Sequence, residues 1–298
     1  MKIKIISSEA PIRVTTVSLA PEELERTPGV YAIDMLSHRD ANTLVMNRED
    51  DPVLEISGGA EIAFDGDFVI ALTGAGFRAS LSGDSLPRYT ACQVDRNDVL
   101  KIDASCGGSF LYLAINGLLD CDPGDSLSAG DAVGIDGSSE TLVNMDLRAL
   151  TPPATSEEGA VTLRVIPGPF ADEYDLHQLD LLYTGEFTVT AADRALVALN
   201  GNKLSPSPLH SSPLYCPVGM IYASPSGDVR IARADSPETS NIKGAAVVIG
   251  VDHHRLASLF PGCKVRFRPC TVQQAEKLAR AVRKAFLKTY LKINYYEV

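Results

Sequence analysis

Apolar and polar positions change places in short runs along most of this chain. From Glu61 to Leu119 such runs recur at intervals of roughly ten residues, separated by Gly, Asp and Ser, which is the pattern of an all-β barrel or sandwich. Met220–Ala223 and Val229–Ala232 flank Ser-Pro-Ser-Gly, where Pro presets φ and Gly tolerates positive φ, so the stretch predicts a hairpin. Lys243 opens the run GAAVVIGV, short and β-branched enough for a buried strand. Asp252 is placed to cap a brief helical turn carrying Leu256 and Leu259, and Pro261-Gly262 ends it before a strand over Lys264–Arg268. Helices are scarce in the first half, with a turn at Pro21–Arg26 and a short helix at Ser37–Asn47, where Leu36, Leu44 and Val45 share a face.

The chain end reads differently. Thr271 and Gln274 fit a capping box, and Ala275, Leu278, Ala279, Val282, Ala285 and Phe286 make an apolar stripe at helical spacing. Lys277, Arg280, Arg283, Lys284, Lys288 and Lys292 load the remainder with positive charge. This pattern predicts a helix packed against the barrel with a solvated basic face; the alternative is an electrostatic dock for an acidic partner or for the protein's own acidic surface. Thr151–Gly159, TPPATSEEG, has the composition of an exposed connection. It divides the chain into an N-terminal β-rich domain, 1–155, and a C-terminal domain, 160–298.

The length of 298 residues suits two cores. A formal charge of −11 disfavours nonspecific binding to nucleic acid or anionic membrane. No apolar run is long enough to span a bilayer and the N-terminus has no signal pattern, so the expected compartment is the cytoplasm. Cys92, Cys106, Cys121, Cys216, Cys263 and Cys270 lack C-x-x-C spacing, which predicts buried reduced thiols rather than zinc ligands or a disulfide framework.

Few motifs carry chemistry. GDSL at Gly83–Leu86 and GDSLS at Gly124–Ser128 invite a serine-hydrolase reading, but a nucleophile needs a base held by a carboxylate, and Asp252-His253-His254 has the wrong spacing for one. His253 and His254 are adjacent, His38, His177 and His210 are isolated, and no metal motif occurs, so no metal is expected. G-x-x-x-x-G-K-[ST] and G-x-G-x-x-G are missing. Asp193-Arg194 is the best charged pair for a site, since Arg clamps a carboxylate or phosphate with two hydrogen bonds; the alternative is a structural ion pair at a strand end.

The order of residues from Cys216 to Phe267 resembles the C-terminal part of the family that contains the C-type subunit of 5-oxoprolinase, also called the biotin-dependent carboxyltransferase or allophanate hydrolase subunit 2 family. That family reads G-A-I-Q-V-P-P-x-G-x-P-I, then Asp, T-T-G-G-Y-P, an apolar strand and L-x-P-G-D-x-V-R-F. Its frame is kept at Gly219, Ile221, Pro225, Gly227, Ile231, Asp235, Thr239, Leu259, Pro261, Gly262, Val265, Arg266 and Phe267. LRVIPGP at Leu163–Pro169 and Asp193-Arg194 with Leu199 and Gly201 agree in order, as do Asp34, Arg39, Ala41, Asn42, Leu44, Val45 and Asn47 with D-x-x-A-x-R-x-A-N-x-L-V-G-N. The departures fall on the site. T-T-G-G-Y-P is here Glu238–Lys243, the family's Gln is Tyr222, the second Arg of D-R-M-G-x-R is Ala198, and Q-D-x-G-R has no counterpart.

The resemblance implies a mostly β protein whose second domain is a cyclophilin-like β-barrel with a terminal helix. It implies part of an ATP-dependent hydrolase that opens a small cyclic amide, working together with a B-type partner subunit and an A-type hydrolase subunit. Biotin, if used at all, would sit on another protein, as no A-M-K-M occurs here. It further implies catalytic roles for Asp193, Arg194, Asp235 and Thr239, and substrate contacts from Tyr222, Glu238, Asp34 and Asn42. Two other members of the family's range stay open: a carboxyltransferase acting on a small amide, and a binding protein that has kept the fold and lost the chemistry.

Overall fold

The computed structural model describes residues 1–17, 30–103, 110–137, 148–153, 159–206, 213–214, 216–236, 239–240 and 242–295. The chain divides into two compact units, Met1–Pro153 with Leu287–Val298, and Ala154–Phe286.

The first unit holds β1 (Lys2–Ser8), β2 (Ile12–Thr15), α1 (Met35–Leu44), β3 (Val53–Ile56), β4 (Ala60–Phe64), β5 (Phe68–Gly74), β6 (Ala79–Leu81) and β7 (Asp84–Leu86). It continues with β8 (Ala91–Val94), β9 (Val99–Ile102), β10 (Leu111–Ile115), β11 (Leu118–Leu119), β12 (Ser126–Leu127) and β13 (Ala132–Asp136). Seven strands pair as β11-β13-β1-β4-β9-β6-β7 and six as β12-β2-β3-β10-β5-β8. Side chains alternate across a strand, so Ile3, Ile5, Ile62, Leu100, Leu54, Ile70, Leu111 and Leu113 meet in one core cluster drawn from both sheets. Strands β3, β5 and β10 are buried along their whole length, because α1 packs on the face of that sheet turned away from the core.

Helix α1 starts and stops earlier than the expected Ser37–Asn47. The Asp34 carboxylate accepts hydrogen bonds from Leu36 N and Ser37 N, which fixes the start. Met46 takes φ 62°, a left-handed conformation that ends the helix before Asn47. The turn expected at Pro21–Arg26 lies outside the described residues.

The second unit is a closed barrel in the order β14-β21-β18-β19-β16-β15-β22. Its strands are β14 (Ala160–Pro167), β15 (Glu186–Ala192), β16 (Leu196–Asn200), β18 (Met220–Ala223), β19 (Val229–Ala232), β21 (Gly244–Val248) and β22 (Lys264–Pro269), with α2 (Leu176–Thr184) and α3 (His253–Ala257) beside them. Closure comes from the parallel pairing of β14 with β22, Ala160 opposite Lys264 through Val165 opposite Pro269. A separate two-stranded ribbon joins β17 (Pro213–Leu214) to β20 (Thr239–Ser240). Leu163, Val165, Phe187, Val197, Ile221, Ile231 and Val265 fill the barrel.

Three expectations are corrected here. Asp252 does not cap α3 with its side chain. Its buried carboxylate instead takes Arg164 N, Nε and Nη2 at 2.8, 2.9 and 2.5 Å, binding α3 to β14. The final helix, α4 (Val272–Tyr295), begins with the expected reciprocal cap, Gln274 N to Thr271 Oγ1 at 3.2 Å and Thr271 N to Gln274 Oε1 at 2.9 Å. Its apolar stripe, however, is not core: Val282 is 41% exposed, Ala279 and Ala285 are exposed, and Ala275, Leu278 and Phe286 are half-buried. Of the five described cysteines all are free but only Cys216 is buried.

Candidate functional site

The hairpin of β18 and β19 turns through Gly227 at φ 86°, with Gly227 N bonded to Ser224 O at 2.8 Å. Only a residue without Cβ adopts that φ freely. The register then fixes which residues share a face. Ile221, Ile231 and Val197 oppose one another across three strands and point into the barrel. One residue away, Ala198, Arg230, Tyr222 and Gly244 form a row on the opposite, outer face. Met220, Ala232 and Cys216 pack around Tyr222 there, with Ile242 against them.

Tyr222 is buried and its phenol is held above the ordinary value of 10. Burial is the main cause; the neighbouring Cys216 and Asp193 add to it, and the charge of Arg230 opposes it. The phenol is therefore protonated at neutral pH and keeps its one donor. Beside this row, Lys243 ion-pairs with Glu173 and Tyr174 donates from its hydroxyl to Lys243 O at 2.6 Å.

Arg194 and Asp235, both placed in the site by resemblance, do come together. Arg194 Nε and Nη2 lie 2.7 and 3.2 Å from the two carboxylate oxygens, and Asp235 N bonds to Arg194 O at 3.0 Å. Each side chain is only 13% exposed. Asp193 is exposed, and its carboxylate accepts from Ala195 N and Leu196 N at 2.7 and 2.8 Å, closing the turn into β16. The fork of Arg194 is thus already filled by a carboxylate, and the Asp193-Arg194 dipeptide works at least in part as a turn staple.

Two arginines that the sequence reading passed over bracket this turn. Arg230 stands in the outer row, half-buried. Arg233 is fully buried and donates to Asp193 O at 2.8 Å and to Leu256 O, Ala257 O and Leu259 O at 2.8, 3.4 and 2.9 Å. It ties the Asp193 turn to the end of α3. The signal that could have found both is a charged residue inside the apolar run VRIAR, Val229–Arg233.

The other expected residues are scattered. Thr239 contributes its backbone to β20 opposite Leu214, and Glu238 lies outside the described residues. Asp34 and Asn42 belong to the first unit. Asp34 caps α1, accepts the Ser37 hydroxyl at 2.6 Å, and its N–H bonds to Tyr112 OH at 2.7 Å, which in turn donates to Glu55 at 2.8 Å. Asn42 Nδ2 donates to Asp51 O at 2.8 Å. Both are buried, so in the structure they order α1 and its surroundings. Asp40, on the same helix, is pushed up to about 7 by burial and by the neighbouring Asp34 charge.

No group of three metal-ligating side chains exists among the described residues. Asp84 and Ser85 of the first GDSL string line an open pocket of about 320 Å³ with Ser82, Pro87, Cys92 and Asp98, a set that holds no histidine. That arrangement gives a serine nucleophile no base. None of the described helices is long and apolar enough to cross a membrane.

Comparison with known proteins gives a consistent result. The family profile for the carboxyltransferase domain, subdomain A and B, matches residues 31–269. The C-type subunit of 5-oxoprolinase from Haemophilus influenzae is 24% identical over 84% of this chain and 85% of its own length. Among solved structures, the protein designated TTHA0988 superposes with a TM-score of 0.77 at 26% identity, over 89% of this chain and 55% of that one. The urea amidolyase of Kluyveromyces lactis superposes with a TM-score of 0.81 at 20% identity, over 97% of this chain and 20% of that one, which establishes a common fold.

Proposed function

The chain belongs to the carboxyltransferase domain family, subdomain A and B, and from that membership we propose that it acts as the C-type subunit of a cytoplasmic, ATP-dependent hydrolase of the 5-oxoprolinase kind. The reaction opens a small cyclic amide to an amino acid, and the enzyme is completed by a B-type partner subunit and an A-type hydrolase subunit. The observation that carries this reading is the extent of the match to a relative named as the C-type subunit of 5-oxoprolinase, most of either chain. ATP enters as co-substrate. This chain offers it no loop of the G-x-x-x-x-G-K-[ST] type, so no phosphate contact is assigned to its residues.

What the chain itself supplies is Tyr222 and Arg230, side by side on the outer face of the barrel. A neutral phenol at Tyr222 donates one hydrogen bond, where a Gln would both donate and accept. Arg230 adds a cation beside it. Such groups bind and orient a small polar ring, and desolvation at the barrel wall strengthens their contacts relative to open water.

A second reading, a binding protein without catalysis, is favoured by one observation: the arginine that would clamp substrate, Arg194, is engaged by Asp235. The two readings separate in one experiment. The chain is co-expressed with the B-type and A-type proteins encoded in its own genome, and ATP-dependent opening of 5-oxoproline is measured. Turnover by the assembled complex, absent when this chain is omitted, is the expected result. An assembled complex that turns over neither 5-oxoproline nor related amides leaves the binding protein as the correct reading.

A further inference from the structure

We propose that the outer face of α4 docks on the acidic sheet edge around β11 in a second copy of this chain; the inference stands apart from the hydrolase reading. Helix α4 holds six of the chain's 27 Lys and Arg and one of its 38 acidic residues. Arg280, Lys284, Leu287, Lys288 and Leu291 recur at spacings of three and four, so they share one face of the helix. All five are exposed, Leu287 at 42% and Leu291 at 46%. This face is distinct from the stripe that includes the half-buried Ala275, Leu278 and Phe286.

The charges on that face are available to a partner. Arg280 pairs with Glu276 at 3.6 Å, an exposed contact one helical turn apart that water weakens. Lys277, Lys284, Lys288 and Lys292 form no ion pair among the described residues. No described strand or helix packs along α4. Two exposed leucines set between unpaired cations give the face the composition of an interface, apolar at its centre and charged at its rim.

The same pattern recurs in the first unit with the sign reversed. From Asn116 to Gly137 the chain carries Asp120, Asp122, Asp125, Asp131 and Asp136 and no Lys, Arg or His. All five are exposed, and none forms an ion pair among the described residues. Asp125 and Asp131 accept from Asp122 N and Ser128 N at 2.9 and 2.8 Å, which fixes two turns and leaves the negative charges uncancelled. Leu118, 51% exposed, lies on β11 at the edge of the seven-stranded sheet, directly across from Asp136 on β13. An anionic lipid surface would partner the helix cations but not this edge, and it would be repelled by a chain of net charge −11. A second copy answers both faces. Repulsion between two such chains is screened beyond about 8 Å at physiological ionic strength, so the facing charges of opposite sign decide the contact.

The test is sedimentation equilibrium of the full chain over the micromolar range, at low and high salt. The parent should self-associate, and high salt should weaken the association. Lys284→Glu with Lys288→Glu, and separately Asp122→Lys with Asp136→Lys, should each weaken it about 10- to 100-fold, as expected for reversing two charges in one contact. Circular dichroism should show both variants folded. Mixed in equal amounts they should associate again, because the acidic helix of one now meets the basic edge of the other. A parent that stays monomeric overturns the proposal, and one that is monomeric but binds anionic phospholipid vesicles names a membrane as the occupant instead. An association that either variant leaves unweakened, or that the mixture does not restore, also overturns it. Where a reversal unfolds the chain, Lys284→Gln with Lys288→Gln and Asp122→Asn with Asp136→Asn take its place, and an association unweakened by either neutral pair refutes the contact.

Discussion

Two neighbours on α1 titrate in opposite senses, and their opposition hides a pH dependence that single substitutions should expose. His38 is fully buried, with Nε2 at 3.0 Å from Thr15 O, and burial lowers its pKa from 6.5 to about 4. The unfolded chain then binds a proton that the folded chain refuses, so this group's contribution to stability is lost as pH falls from 6.5 towards 4. At 1.36 kcal/mol per unit, this amounts to about 3 kcal/mol. Asp40 is raised from 3.8 to about 7, by burial first and the Asp34 charge second. The folded chain holds a proton that the unfolded chain has released, so stability is lost as pH rises from 3.8 to 7. The raw magnitude is about 4 kcal/mol, reduced to about 2–4 kcal/mol because Asp40 retains some solvent contact.

The two slopes nearly cancel between pH 4 and 7 in the parent. Asp40→Asn removes one of them. Urea unfolding followed by far-UV circular dichroism at pH 4, 5.5 and 7 should then show stability rising with pH in the variant relative to the parent, with a gain at pH 7 on the order of 2–4 kcal/mol. His38→Gln should tilt the other way, losing stability as pH rises. Other groups, Asp51 and Asp252 among them, titrate alike in parent and variants and drop out of the difference. Parallel curves for parent and Asp40→Asn would refute the buried, proton-holding state of that carboxyl.

Two further outcomes concern the second unit and the terminal helix. Arg233→Met should cost about 3–5 kcal/mol, since it strands the buried carbonyls of Leu256 and Leu259, which no apolar side chain can satisfy, and breaks a third bond to Asp193 O; hydrogen exchange of 253–259 should accelerate with it, and a loss below about 1 kcal/mol would show those carbonyls reach water. Val282→Ala, at 41% exposure, should change the melting midpoint little, within about 0.5 kcal/mol, and a core-sized loss would mean the stripe is covered in solution.

Local chemistry was the legible part of this chain. The hairpin over Met220–Ala232 followed from Ser-Pro-Ser-Gly because a turn is decided by the φ its own residues tolerate, and strands β18 and β19 have the expected bounds. The Thr271–Gln274 cap was legible for the same reason. What covers a face was not. The stripe on α4 gives the direction of an apolar face but says nothing of what lies against it, and it is largely exposed. Asp252 reads as a helix cap from its position alone; only the pairing of β14 with its neighbours brings Arg164, 88 positions away, into its reach. In the candidate site the family frame led to Arg194 and Asp235, which do meet, while Arg230 and Arg233 stayed hidden because a charge in a short strand looks like an ordinary solvent-facing residue.

Those three arginines show what decides availability at this site. Arg194 meets a carboxylate, so its charge is cancelled and its donors are used. Arg233 follows the inward parity of Val229 and Ile231 and emerges at the end of the barrel, where backbone carbonyls of α3 use its donors. That places a cation at a helix C-terminus, the end at which positive charge is favoured. Arg230, three residues earlier, has the opposite parity and stands opposite Tyr222 on the outer face of the barrel. On a chain of net charge −11 an anion is repelled at long range. Screening limits that repulsion to about 8 Å at physiological ionic strength, so a cation on this face acts on an anion only at short range. Which of these arginines could meet a ligand is therefore set less by how many the sequence holds than by where strand parity and the turns place each one.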